Sequence, residues 1–228
     1  MCEILSSHVF FFLAAVTGCI SVIVNMNLTD APMDSGDSTA SRGFKFGSTY
    51  VVESKGKHQA TIVWLHGLGD DGLSWSQVLE TLPLPNIKWI CPTSPVQPLT
   101  LFGGNSTTAF VGNRTGCPTR LDAVVGLSGW LPCARALSNK GGGYEVDGRA
   151  SLPILLCHGR FDDVVRFRYG EKSTKKLISA GFENVTFKPF NSLGHYINPE
   201  EMDEVASWLT STLELEGKSL NKTSNTCV

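Results

Sequence analysis

An acid, a histidine and a glycine turn carry the chemistry legible in this sequence. Asp162 follows within a few residues of the apolar run Ile154 to Leu156, and His195 stands in Ser192-Leu193-Gly194-His195-Tyr196, just before a helical stretch. A carboxylate that orients an imidazole makes it a general base, and acid before histidine is the chain order of one class of serine hydrolase. Upstream, His66-Gly67-Leu68-Gly69-Asp70-Asp71-Gly72 breaks the apolar run Ile62 to Leu65. A turn of that kind after a strand can present a backbone N–H to a developing oxyanion. Gly67, Gly69 and Gly72 also fit a dinucleotide-binding pattern, which is weak when it stands alone. That reading wants an acidic residue about 20 positions on, at the end of the next strand, to hold a ribose. The next strand, Ile87 to Cys91, ends in Pro92 and Thr93 instead, and Asp70 and Asp71 would repel a pyrophosphate.

Groups so placed need strands that end along one edge. Ile62 to Leu65 has no polar alternation, which suits a strand covered on both faces. Ile87 to Cys91, Asp122 to Trp130 and Ser151 to Gly159 repeat that pattern, and Tyr50 to Val52 reads as a shorter strand. Asn184 to Phe190 alternates and carries Pro189 near its end, which suits a position toward the sheet edge. Leu73, Trp75, Val78, Leu79 and Leu82 recur at helical spacing until Pro83. Tyr169 to Ala180 is a second helix, stopped by Gly181, and Pro199 to Leu215 a third, with Met202, Val205, Trp208 and Leu209 on one face. Ala134 to Gly148 reads as a weaker helix, Pro92 to Pro98 as a loop, and Asn105 to Leu121 shows no periodicity. Strands alternating with helices give an α/β fold with a doubly wound, mostly parallel sheet.

With 228 residues, 42% apolar and 18% charged, the chain has material for one core. The expected domain is 43–217, after a polar linker at 25–42 and before a polar tail at 218–228. A net charge of −2 and the lack of any basic cluster argue against nucleic acid as a partner. Seven scattered cysteines, without C-x-x-C spacing, read as mostly buried free thiols and offer no zinc site. No metal or cofactor is expected. Residues 1–24 contain an uncharged apolar run, Val9 to Val24, preceded by Glu3 and by no Lys or Arg. It has the length of a signal sequence's apolar region without the positive start. Targeting or membrane association through 9–24 stands against a segment with no folded role.

With these residues in view, the chain resembles the phospholipase/carboxylesterase family of α/β-hydrolases, and most closely plant proteins similar to acyl-protein thioesterases. The resemblance runs from about Gly43 to Gly217. Its carriers are TIVWLHGLGDDG, LPNIKWICPTSPVQPLTLFGG, AVVGLSGWLPC, LPILLCHGRFDDVV and GHYINPEEMDEV. By position it implies that Asp162 is the triad acid, His195 the general base and Leu68 the oxyanion donor through its N–H. It further implies hydrolysis of acyl esters or thioesters, including palmitoyl-cysteine on proteins, in the cytoplasm.

The sequence departs from that family at one point. The family presents its nucleophile in a G-F-S-M-G-like elbow between the LFGG loop and the AVVGLSGW strand, and no G-x-S-x-G occurs in this chain. Gly104-Asn105-Ser106-Thr107-Thr108 and Gly126-Leu127-Ser128-Gly129-Trp130 are the nearest strings, and Cys117 in a Gly-Cys-Pro turn is poorer still. No nucleophile is therefore assigned. Residues 93–121 are also too few for a helix, a strand and a second helix, since each crossover needs at least about a dozen residues. The expected join lies between Gly104 and Val111. A family member without its elbow would be an impaired ester/thioester hydrolase, or alternatively a non-catalytic acyl-chain or protein-binding isoform. In its sheet, the Thr61 to Leu65 and Asp122 to Trp130 strands would either pair directly or expose unpaired edges.

Overall fold

The computed structural model describes residues 20–25, 46–98, 106–108, 121–131 and 150–215. Nine strands and three helices lie within them: β1 (Ile20–Asn25), β2 (Thr49–Val52), β3 (Ala60–Leu65), α1 (Gly72–Leu79), β4 (Ile87–Pro92), β5 (Val96–Pro98), β6 (Ser106–Thr108), β7 (Ala123–Leu127), β8 (Ile154–Gly159), α2 (Phe167–Ser179), β9 (Val185–Phe190) and α3 (Pro199–Thr212). Seven strands form one sheet in the order β2-β4-β3-β1-β7-β8-β9, and β5 pairs with β6 in a separate two-stranded ribbon. β3 runs parallel to β4, and β7, β8 and β9 run parallel to one another. β2 and β1 are antiparallel to their neighbours.

The central runs lack polar alternation because both faces are covered. On one face Trp64, Trp89, Val125, Leu127, Leu155 and Cys157 join Met202, Val205 and Leu209 of α3 in the larger core. On the other, Val124, Ile154 and Leu156 pack with Leu177 of α2 and with Phe182. Burying side chains of this size contributes roughly 1.5–3 kcal/mol each. Asp71 caps α1, its carboxylate accepting the Ser74 N–H at 2.8 Å, and Asn198 caps α3, accepting the Glu201 N–H at 2.8 Å. Gly181, at φ +94°, ends α2 where a left-handed residue is needed. β9 is the outer strand at its side of the sheet, the position its Pro189 suits.

Several elements differ from the sequence expectations. Val96 to Pro98 is a strand within the expected loop, because Ser106 to Thr108 pairs with it. β7 stops at Leu127, since Ser128 turns to φ +52° and cannot extend a strand. The expected helix at 134–148 lies outside the described residues. β3 and β7 neither pair directly nor face open edges: β1 runs between them, matched to β3 from Ser21↔Leu65 to Asn25↔Thr61 and to β7 from Ile20↔Leu127 to Val24↔Ala123. Its partners on both sides satisfy backbone groups that would otherwise be orphaned. That strand precedes the expected domain boundary at residue 43. Among the described residues, no helix is long and apolar enough to cross a membrane.

Candidate active site

The carboxyl ends of β3, β7 and β8 gather the sequence-predicted residues at one edge of the sheet. Gly159 ends β8 with no side chain to obstruct the neighbouring loop. The Arg160 N–H therefore reaches the Phe190 carbonyl at 2.9 Å, and the Phe161 N–H reaches the Leu193 carbonyl at 3.0 Å. These bonds tie the turn that holds Asp162 to the loop that holds His195. His195 Nδ1 then lies 2.8 Å from Asp162 Oδ2.

Asp162 is fixed from all sides. Its Oδ1 accepts N–H groups from Val164 at 3.0 Å and Val165 at 2.7 Å. Its side chain is wholly buried while that of His195 is 15% exposed. A buried carboxylate that holds Nδ1–H leaves Nε2, the far ring nitrogen, able to accept a proton. Asp163, the adjacent acid, is exposed, so the pairing distinguishes the two aspartates that the sequence leaves side by side.

Sequence reasoning missed a second histidine at this carboxylate. His158 is buried, its Nε2 donates to the Val165 carbonyl at 2.7 Å, and the same nitrogen lies 3.3 Å from Asp162 Oδ2. Burial pushes its pKa down. The signal was present as the i, i+4 spacing of His158 and Asp162. Glu201 was missed as well: it is fully buried at the start of α3, and neither carboxyl oxygen has a partner among the described residues. Burial first, and the charge of Asp162 second, push it up to about 7.

At the end of β3 the glycine turn is held rigidly. His66 is buried, its Nδ1–H donates to the Gly67 carbonyl at 2.6 Å, and its Nε2 accepts the Ser94 N–H at 3.0 Å. That arrangement demands a neutral ring, and burial lowers its pKa accordingly. Leu68 follows, half-buried, and no bond to its N–H is made among the described residues. Asp70 accepts the Trp75 indole N–H, and Asp71 caps α1. Both aspartates that weigh against a phosphate site thus serve the turn and its helix. β6 lies against this turn: the Gly69 N–H donates to the Thr108 carbonyl at 3.0 Å, and the Thr108 hydroxyl donates to the Asp70 carbonyl at 2.9 Å.

Neither near-match to an elbow has the setting of a nucleophile. Ser106 is exposed on β6. Ser128 is buried at φ +52° with its hydroxyl unpartnered, and it has no bond to His195. Cys117 lies outside the described residues. Cys91 and Cys157 are free and buried, and burial raises both thiols, Cys91 to about 12. They are inert at neutral pH. Among the described residues no group of three or more His, Cys, Asp or Glu could hold a metal ion.

A family model described as Phospholipase/Carboxylesterase matches this chain in two stretches, residues 47–111 and 101–213. The stretches overlap at 101–111, so one short segment matches the family on both sides of a break. Acyl-protein thioesterase 1 of Yarrowia lipolytica is 26% identical over 222 residues, with 72% of this chain and 96% of that protein covered. Acyl-protein thioesterase 1 homolog 1 of Dictyostelium discoideum is 26% identical over 224 residues, covering 73% and 96%. The crystal structure of Zea mays acyl-protein thioesterase 2 is 43% identical, has a TM-score of 0.69, and is covered completely by 74% of this chain.

Proposed function

This chain belongs to the phospholipase/carboxylesterase family and has its α/β-hydrolase fold, and from that premise we propose that it is an acyl ester/thioester hydrolase scaffold that keeps the acid–base half of its machinery and lacks the nucleophile. The Asp162–His195 contact at 2.8 Å, with Asp162 buried, is the observation that carries this reading. Similarity to acyl-protein thioesterases supports a thioester or ester substrate. The substrate class is an acylated protein or a small acyl ester, met in the cytoplasm, where buried free thiols such as Cys91 and Cys157 persist.

In a complete site, serine attacks the acyl carbonyl, the histidine takes its proton, and two N–H donors stabilise the tetrahedral oxyanion. His195 Nε2 is the proton acceptor, Asp162 orients the ring, and the Leu68 N–H is one oxyanion donor. The second donor is ordinarily the residue after the nucleophile. Without a G-x-S-x-G segment, both the attacking hydroxyl and that donor are missing. Two further observations support the removal of an elbow segment. The family match is split and overlaps at 101–111. The 222 positions aligned with the Yarrowia relative use 72% of this chain, so roughly a quarter of them have no residue here.

Water is the remaining nucleophile, with His195 as its base. Purified chain is expected to hydrolyse short p-nitrophenyl esters and acyl thioesters at no more than roughly a thousandth of the rate of a complete relative. What turnover remains should disappear with His195→Ala and survive Ser106→Ala and Ser128→Ala. Turnover that either serine substitution abolishes would contradict the proposal. Acyl-ligand binding by a folded chain without turnover would favour the non-catalytic isoform.

A further inference from the structure

β1 occupies an unusual place, outside the family match that covers the strands around it. The family match begins at residue 47, whereas β1 spans Ile20–Asn25. It lies between β3 and β7, the two strands expected above to pair directly or expose unpaired edges once an elbow strand is lost. It is antiparallel to both, while β3 and β7 point the same way.

We infer that the N-terminal segment is a surrogate strand: Ile20–Asn25 fills the central slot of the sheet and so lets a chain without an elbow segment close its core. Three physical points carry this. First, a gap of one strand between β3 and β7 would leave two rows of backbone donors and acceptors unpaired in the middle of the molecule, and β1 pairs with five consecutive residues on each side. Second, Ile20, Val22, Ile23 and Val24 are β-branched, the residue types that favour strands. Third, residues 26–48 join β1 to β2, and a chain of that length can span roughly 75 Å, ample to bring the strand in from outside. A parallel strand built from residues 93–121 would need a crossover on each side, for which the chain is too short.

The direction of β1 decides what it restores. A nucleophile elbow needs a strand that runs toward the His66 and Ser128 edge and turns there into a helix. β1 runs away from that edge, with Ile20 beside Leu127 and Asn25 beside Thr61. It therefore completes the sheet but supplies neither nucleophile nor second oxyanion donor, a consequence that rests on the reading of the site above. On this account residues 20–25 are a structural element and not a cleaved address or a membrane anchor.

The register provides a test independent of activity. Directly opposed antiparallel residues have Cα atoms about 4.5–5.5 Å apart, within the range a disulfide bridges. Val24→Cys with Ala123→Cys should crosslink on mild oxidation, whereas Ile23→Cys with Ala123→Cys should not, because a shift of one residue turns the side chains to opposite faces. In the unsubstituted chain, the amides of 20–25 should exchange as slowly as those of β3, and Ile23→Pro should lower the melting temperature by roughly 10 °C or more. Unprotected amides at 20–25, equal crosslinking by both pairs, or an unchanged melt after removal of residues 1–25 would each overturn the inference. The exchange measurement keeps it exposed to refutation even where a substituted chain fails to fold.

Discussion

A Cβ on Gly159 would stand 2.2 Å from the Leu193 carbonyl oxygen and 2.7 Å from that of Gly194. The end of β8 and the loop before His195 thus touch backbone to backbone, and this contact sets the reach of His195 to Asp162. Gly159→Ala must push the loop away. It is expected to cost about 2 kcal/mol or more in denaturant unfolding, as overpacking against unyielding backbone does. A change within about 0.5 kcal/mol would mean the loop gives way freely.

Glu201 gives the chain a distinctive dependence on pH. Burial, followed by the charge of Asp162, raises its pKa from 4.5 to about 7. The folded chain then holds a proton that the unfolded chain releases between those values. Stability from this group is full below about pH 4.5 and is lost as pH rises toward 7, by on the order of 3 kcal/mol. His66 and His158 act oppositely, because burial favours their neutral rings and their contribution falls away below about pH 6.5. Comparing the chain with Glu201→Gln across pH 4.5 to 8 cancels the histidines. The substituted chain should gain stability relative to the parent as pH rises. A constant difference would contradict the buried, proton-holding carboxyl.

The strands and helices that flank the site were legible because each covers a face. β3, β4, β7 and β8 read as apolar runs without alternation, α2 showed a visible stop at Gly181, and α3 showed Met202, Val205, Trp208 and Leu209 on one face. Asp162 and His195 were legible because they follow strand ends in the order that a hydrolase uses. β1 was not, for an apolar run at an N-terminus looks the same whether a membrane or a sheet receives it. Its partners lie about 40 and 100 residues away, and only the slot between β3 and β7 gives it a register. Glu201 was hidden for a related reason: an acid in the first turn of a helix reads as a favourable surface charge, and burial is a property of the packing around it.

Asp162 and Asp163 are neighbours with opposite fates. Asp162→Ala leaves the Val164 and Val165 N–H groups without their acceptor and removes the partner of two histidines. A loss of about 2–4 kcal/mol in unfolding free energy is expected. Asp163→Ala, at an exposed position, should change stability by no more than about 0.5 kcal/mol. Equal losses from the two substitutions would show that the carboxylate holding this turn is misassigned.

On the function proposed above, the Asp162–His195 pair faces no activated serine. A serine-directed fluorophosphonate reads this most directly, with intact-mass analysis of the folded chain and a complete relative carried as the positive control. Activation by a neighbouring histidine is what makes a serine react with such a reagent. One adduct is expected on the relative and none on this chain at matched exposure. A stoichiometric adduct on any serine of this chain, lost with His195→Ala, would contradict it.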